Sequence, residues 1–225
     1  MKTVIYDLFE TLVTEWGKHK YTNREIASDL GVDEQAFRLE SAKLRRGRYL
    51  GEIPDSIQAF RIILENLNIN RSENLLKQIA EKREECKRKC FDNIDPEIID
   101  LLSALKENGC KIGLISNCSV EEIKGFKDCA IYNYFDAVVL SCDVGLVKPD
   151  AKIYEYCSSI LNVQPANCFF VGDGGSDELN GAKNAGMNPL RALWFIKHFV
   201  KDYDSDTTYP VFLEPNGLKS FIFLH

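Results

Sequence analysis

Nowhere in the 225 residues does an apolar run approach the roughly 18 consecutive residues that a membrane-spanning helix needs, so no membrane partner is expected. The start of the chain lacks the apolar h-region and cleavage site of a secretory signal peptide, and a cytoplasmic location is expected. Eight cysteines are present, but none forms a Cys-x-x-Cys pair, and Cys86 and Cys90 stand one helical turn apart. This scatter argues against a zinc site or a disulfide framework and for free thiols in a reducing compartment. Histidine is scarce. His19 and His198 have no evident partner in the sequence and His225 is terminal, so metal or acid–base chemistry built on histidine is not expected. No basic stripe with interleaved aromatics occurs, which argues against a nucleic-acid partner. There is no internal repeat and no low-complexity linker, and nothing in the sequence sets an oligomeric state.

What is present fits a globular chain able to bury a sizeable core: 45% apolar and 28% charged residues. The charge is unevenly distributed. Residues 14–90 carry 16 basic against 13 acidic residues, and the rest of the chain carries 12 against 21. The same segment reads as helix throughout. Thr22 and Glu25 form a capping box ahead of Ile26 and Leu30, with Gly31 as the stop. Asp33 caps a second helix carrying Phe37 and Leu44 and ending near Gly47. Pro54 opens a third, with Ile57, Phe60, Ile63, Leu64 and Leu67 at the 3–4 spacing. Ser72 opens a fourth, with Leu75, Leu76, Ile79, Cys86 and Cys90 on one side. Four helices without a strand exceed any ordinary strand-to-helix connection, so 14–90 is expected to be an inserted all-helical domain.

Outside that insert, strands and helices alternate. Strands are expected over Met1–Thr11, Lys111–Ile115, Ala137–Leu140, Cys168–Val171 and Leu190–Ile196, with edge strands at Tyr209–Leu213 and Ser220–Leu224. Asp95-Pro96-Glu97 starts one intervening helix, Ser119 and Glu122 cap another, and Ala182–Ala185 lies in a third. This pattern predicts an α/β fold: a Rossmann-like parallel sheet with helices on both faces, formed by residues 1–13 and 91–225.

The chemistry is expected at the strand ends. The first strand is apolar apart from Asp7, and a carboxylate there must meet a cation or mark the strand's end. Ligands of open α/β sheets bind beyond the carboxyl ends of the strands. Ser116-Asn117 follows the second strand, Lys148-Pro149 follows the third, and Gly172-Asp173-Gly174-Gly175-Ser176-Asp177-Glu178 follows the fourth. Carboxylates, a hydroxyl, an amide and one ammonium at one edge suit a phosphoryl group and Mg²⁺.

These four groups, in this order, resemble the motifs of the haloacid dehalogenase (HAD) superfamily, including a helical cap inserted after the first strand. Asp7-Leu-Phe-Glu-Thr11 matches the nucleophile motif, Ser116-Asn117 the second, Lys148-Pro149 the third, and Gly172-Asp173 with Asp177 or Glu178 the fourth. The resemblance implies a Mg²⁺-dependent phosphatase acting on a small phosphorylated metabolite. In it Asp7 is the nucleophile that becomes an aspartyl phosphate, Ser116 and the amide of Asn117 hold phosphoryl oxygens, and Lys148 neutralises Asp7 and phosphate. Asp7, the Phe9 carbonyl, Asp173 and Asp177 would hold the metal.

Two residues depart from the family pattern. Phe9 stands where HAD phosphatases usually carry a second Asp that moves a proton, and Glu10 stands where Gly is frequent. Phe9 keeps open a metal-independent 2-haloacid dehalogenase, whose chemistry needs no such proton, and a catalytically weak HAD-like binding protein. Glu10 is either a substitute acid or a loop residue. Arg45, Arg46 and Arg48 are either an exposed helix end or a grip on an anionic substrate. Trp16 and Trp194 are expected to serve packing.

Overall fold

A computed structural model describes residues 2–17, 20–199 and 208–224. His19 and His225 lie outside the described residues. The sheet has six strands in the order β3-β2-β1-β4-β5-β6: β1 (Thr3–Tyr6), β2 (Lys111–Ser116), β3 (Ala137–Leu140), β4 (Cys168–Gly172), β5 (Asn188–Ala192) and β6 (Val211–Phe212). Every pairing is parallel. β1 is central and wholly buried, which its unbroken apolar character requires.

Successive side chains of a strand point to opposite faces, so β1 feeds two cores. Val4 and Tyr6 pack with Leu101 and Leu105 of α5 (Pro96–Glu107) and Leu218 and Ile222 of α9 (Pro215–Leu224). Ile5 packs on the other face with Ile153 and Tyr154 of α7 (Ala151–Ile160) and Ala182 of α8 (Glu178–Asn184). The strand order reverses at β1, where β2 leads one way and β4 the other. The carboxyl end of β1 therefore opens into the crevice between diverging connections.

Between β1 and β2 come α1 (Asn23–Leu30), α2 (Glu34–Tyr49), α3 (Ser56–Asn66) and α4 (Glu73–Asp92). Each starts on a side chain that accepts a hydrogen bond from its own first turn: Thr22, Asp33, Asp55 and Ser72. They share a separate apolar cluster containing Ile26, Leu30, Phe37, Phe60, Ile63 and Leu76. The last turn of α4 behaves differently, because Cys90 and Phe91 join the core beneath the sheet.

Several boundaries differ from the sequence expectation. β1 stops at Tyr6, and the apolar residues beyond Asp7 form a buried turn in which Leu12 and Val13 both donate to the Leu8 carbonyl. The capping box at Ser119 and Glu122 opens only a short 3₁₀ turn, Val120–Glu122. The fifth strand begins and ends earlier than Leu190–Ile196. Ser220–Leu224 lies in α9 and is not an edge strand, because Leu218 and Ile222 at i and i+4 meet the core together.

That last difference has a measurable consequence. Leu218 is fully buried and Leu224 is 82% exposed. Leu218→Ala should cost about 2–5 kcal/mol of unfolding free energy in urea denaturation, whereas Leu224→Ala should change it by no more than about 0.5 kcal/mol. A strand over Ser220–Leu224 would place Leu224 on the same face as Ile222 and make its truncation costly.

Candidate active site

The strand ends converge. Asp7 leaves β1 with its backbone N–H donating to the Val171 carbonyl of β4 (2.8 Å), which holds it at the sheet edge. Thr11 Oγ1 donates to one Asp7 carboxylate oxygen (3.3 Å), and the Thr11 carbonyl is itself held by Trp194 Nε1 (2.8 Å). Lys148 Nζ donates to the other Asp7 oxygen and to Glu178 Oε2. All three side chains are nearly inaccessible to water.

Lys148 is fixed from its backbone. Its N–H donates to Asn117 Oδ1 (2.8 Å) and its carbonyl accepts from Asn117 Nδ2 (2.9 Å). The Asn117 side chain thus clamps the lysine's peptide groups, a bracing role its position after β2 did not announce. Ser116, at the end of β2, is fully buried, and its Oγ has no hydrogen-bond partner. A buried hydroxyl left unpaired is costly.

Close approach fixes two glycines here. A Cβ on Gly172 would lie 2.1 Å from Glu178 Oε1, and one on Gly181 would lie 2.7 Å from the Pro149 carbonyl oxygen and from Tyr154 Oη. α8 therefore presses against the Lys148-Pro149 loop and delivers Glu178 beneath Gly172. Tyr154 Oη donates to the Glu178 carbonyl (2.7 Å), and Gly174 N–H donates to Glu178 Oε1 (3.2 Å).

Asp7, Asp173 and Glu178 offer carboxylate oxygens within 4.8 Å of one another. Asp177, expected beside Asp173, is not in this cluster. Ser176 and Asp177 both adopt left-handed backbone angles (φ 54° and 57°). This turns Asp177 outward to accept from Asn180 Nδ2 (2.6 Å) and brings Glu178 inward. Asp173 accepts from Gly175 N–H (2.8 Å).

The electrostatics follow from burial. Loss of water pushes the Asp7 and Glu178 carboxyls above their usual range; Lys148 opposes this for both, while the neighbouring acids add to it. Burial alone would lower the Lys148 ammonium, but Asp7 and Glu178 outweigh it and hold it protonated. Among the described residues, Asp7 and Glu178 thus share the Lys148 ammonium, and Asp173 stands beside them as a third acid.

A cavity of about 270 Å³ opens over these residues and is walled also by Phe9, Glu10, Glu15, Tyr49, Lys87, Glu122 and Ser176. The ring of Phe9 packs near Phe91 (centroids 6.4 Å apart), at the end of α4. Glu10 is αL (φ 58°), and its carboxylate accepts from Thr14 Oγ1 (2.5 Å) and Glu15 N–H (3.0 Å). It faces the cavity while bracing the loop.

The wall contributed by the inserted helices is ionic. Lys87 bridges Glu15 (2.7 Å) and Glu122 (3.1 Å), and Arg83 pairs with Glu121 (3.4 Å) and Glu122 (3.5 Å). Arg48 pairs with Glu121 and donates to Ser119 Oγ (3.3 Å), so it is neither free helix end nor a free grip on substrate; Arg45 and Arg46 are exposed. Sequence reasoning missed Glu15, Tyr49, Lys87 and Glu122, because the pairing runs between segments far apart in the chain.

A family model described as haloacid dehalogenase-like hydrolase matches residues 1–186. A glyceraldehyde 3-phosphate phosphatase of Methanothermobacter thermautotrophicus is 32% identical over 129 residues, covering 57% of this chain and 51% of that protein. In the curated relatives first matched, the aligned stretch spans about half of their length or less. Among solved structures, a 2-haloacid dehalogenase from Pseudomonas syringae pv. Tomato DC3000 superposes with a TM-score of 0.70 at 20% identity, covering 100% of this chain and 98% of that one. A HAD-family enzyme from Bacteroides thetaiotaomicron, in complex with magnesium and inorganic phosphate, superposes with a TM-score of 0.63 at 19% identity, covering 85% and 94%. Both likenesses are in fold. Among the described residues no helix is long and apolar enough to cross a membrane.

Two outcomes are expected from this geometry. Lys148→Met removes the one cation between Asp7 and Glu178 and should destabilise the metal-free protein by about 3–5 kcal/mol in chemical denaturation. The Glu122 carboxyl has its pKa lowered from 4.5 to about 2, since Lys87 and Arg83 outweigh the cost of its burial. Its contribution to stability is therefore complete above pH 4.5 and lost as the pH falls through 2. The stability difference between wild type and Glu122→Gln should shrink steadily between pH 5 and pH 2 in urea titrations.

Proposed function

The chain belongs to the haloacid dehalogenase-like hydrolases, and on that footing we propose that it is a Mg²⁺-dependent phosphatase acting on a small phosphorylated metabolite. The observation that carries this reading is the charge deficit at the sheet edge. Asp7, Asp173 and Glu178 crowd within 4.8 Å of one another, and among the described residues the Lys148 ammonium is paired with Asp7 and Glu178 alone. A hard divalent cation and a phosphoryl group complete such a site. The donor set fits Mg²⁺, which favours one or two carboxylates with water and phosphate oxygens. Asp7 and Asp173, with the Phe9 carbonyl, would hold it, and Glu178 would act behind them. The bound cation supplies charge neutralisation at the phosphoryl oxygens. Residues 14–90 serve as a cap that closes the cavity over a small substrate and excludes water.

In this reading one Asp7 oxygen attacks phosphorus as the ester oxygen departs, forming an aspartyl phosphate. Water then attacks that phosphorus and restores the carboxylate, releasing inorganic phosphate. Lys148 keeps Asp7 ionised and offsets the charge gathered on the phosphoryl oxygens, while the Ser116 hydroxyl donates to one of them. Phe9 moves no proton. The leaving group departs without help from that position, which favours aryl and acyl phosphates over alkyl esters.

Phe9 also favours a second reading, displacement of halide from a 2-haloacid by Asp7, because a departing halide needs no proton. The acid cluster weighs against it, since Asp173 and Glu178 beside Asp7 would repel without a cation.

One panel separates the readings: p-nitrophenyl phosphate, acetyl phosphate, alkyl phosphates and 2-chloropropionate, each with Mg²⁺ or EDTA. The phosphatase reading expects Mg²⁺-dependent release of phosphate, fastest from aryl and acyl substrates. It also expects Asp7→Asn to be inactive though folded, and Mg²⁺ to raise the melting temperature of wild type more than that of Asp173→Asn. Chloride release indifferent to EDTA would establish the dehalogenase instead.

A further inference from the structure

Two thiols that the proposed chemistry does not use stand against each other beside the site. Cys118 Sγ and Cys142 Sγ are 3.8 Å apart and buried. Cys118 directly follows Ser116-Asn117, and Cys142 lies in the short helix α6 (Ser141–Val144) that follows β3. We propose that Cys118 and Cys142 are a reversible dithiol–disulfide modification site whose oxidation displaces the Ser116-Asn117 loop.

Three observations support this. First, the pair is held in register by its neighbours. Ser141 Oγ accepts from the Cys118 N–H (3.0 Å) and donates to the Cys118 carbonyl (3.2 Å), so the side chain next to Cys142 grips the Cys118 backbone. Second, the thiols are unequal. Cys118 is fully buried and Cys142 keeps 9% of its surface. The hydrogen bond with Cys118 draws the Cys142 thiol below its usual pKa, while that bond and burial raise Cys118. Cys142 is thus both the more exposed residue and the one whose thiol is drawn toward the thiolate. Third, Cys142 lies directly under the inserted helices. A Cβ on Gly51, in the turn after α2, would lie 2.2 Å from the Cys142 carbonyl oxygen.

The chemistry balances with a peroxide as oxidant. The Cys142 thiolate attacks one peroxide oxygen, giving a sulfenic acid and, after protonation, water. Cys118 then attacks the sulfenic sulfur and expels a second water as the S–S bond forms. Two thiols lose two electrons and the peroxide gains them. A second disulfide, such as oxidised glutathione, reaches the same product by exchange. Bonded sulfurs sit about 2.05 Å apart, so closure nearly halves the separation. Any part of that closure taken by Cys118 moves the two residues before it in the chain. Asn117 carries it onward, since its side chain clamps the peptide groups of Lys148.

The test treats the full chain with hydrogen peroxide, with a dithiothreitol-treated sample as control. Mass spectrometry should find the Cys118–Cys142 linkage, with loss of two of the eight free thiols. Trypsin separates the two cysteines at Lys124 and Lys127 but leaves Cys129 in one peptide with Cys142, so fragmentation between them is required. Amide hydrogen exchange of residues 113–119 should change on oxidation and recover with dithiothreitol. Hydrolysis of p-nitrophenyl phosphate, if the phosphatase reading holds, should fall and recover in parallel. Cys142→Ala and Cys118→Ala, each made separately, should keep the activity of the reduced wild type and lose the response to peroxide. Retention of all eight thiols, or linkages that exclude this pair, would overturn the site. A formed linkage with unchanged exchange over 113–119 would overturn its coupling to the loop. The linkage and exchange measurements need no substrate, so their failure is distinct from failure of the phosphatase reading.

Discussion

A single buried ammonium, Lys148, organises the edge of this sheet. It lies between Asp7 at the end of β1 and Glu178 at the start of α8, and neither acid could stay charged in that place without it. Charges removed from water cost far more than surface ones, and only close pairing offsets the loss. Much of the surrounding structure can be understood as holding that pairing. Asn117 grips the lysine's backbone, Trp194 and Thr11 steady the turn carrying Asp7, and Gly172 and Gly181 let α8 approach closely enough to deliver Glu178. The result is a cluster of acids braced around one ammonium by contacts from several elements.

A second set of charges joins the helical segment to the sheet. Lys87, Arg83 and Arg48 meet Glu121 and Glu122 beyond β2, Lys87 also meets Glu15 within its own segment, and three of these residues, Glu15, Lys87 and Glu122, wall the cavity. Partial burial makes such pairs stronger than surface ones, yet they part more readily than an apolar seam, because water re-solvates each ion. The pairing also explains the mildly basic character of 14–90 within an acidic chain: part of its positive charge is matched across the join.

Much of this was legible from the residues. The central strand, the alternating pattern, the caps at Thr22, Asp33 and Ser72, and the polar strand ends at Asp7, Ser116, Lys148 and Asp173 all follow from local rules of periodicity, capping and burial, whereas the third helix is capped by Asp55 and not opened by Pro54. The misreadings were local too. Leu8, Phe9 and Leu12 extended the apolar run beyond the true end of β1, because a buried turn and a buried strand have the same composition. Ser220–Leu224 looked like a strand because five residues are too few to separate period 2 from period 3.6.

The sequence by itself determined which residues gather at the carboxyl edge, since a parallel sheet sends every strand end the same way. Only the tertiary structure decided which of two adjacent acids turns inward. Left-handed angles at Ser176 and Asp177 rotate Glu178 toward Lys148 and leave Asp177 to solvent. It likewise decided that Asn117 braces Lys148, that Arg48 is spent on Glu121, and that Cys118 meets Cys142. Each of these depends on contacts between segments tens of residues apart, and those distances are set by packing, which no local pattern encodes.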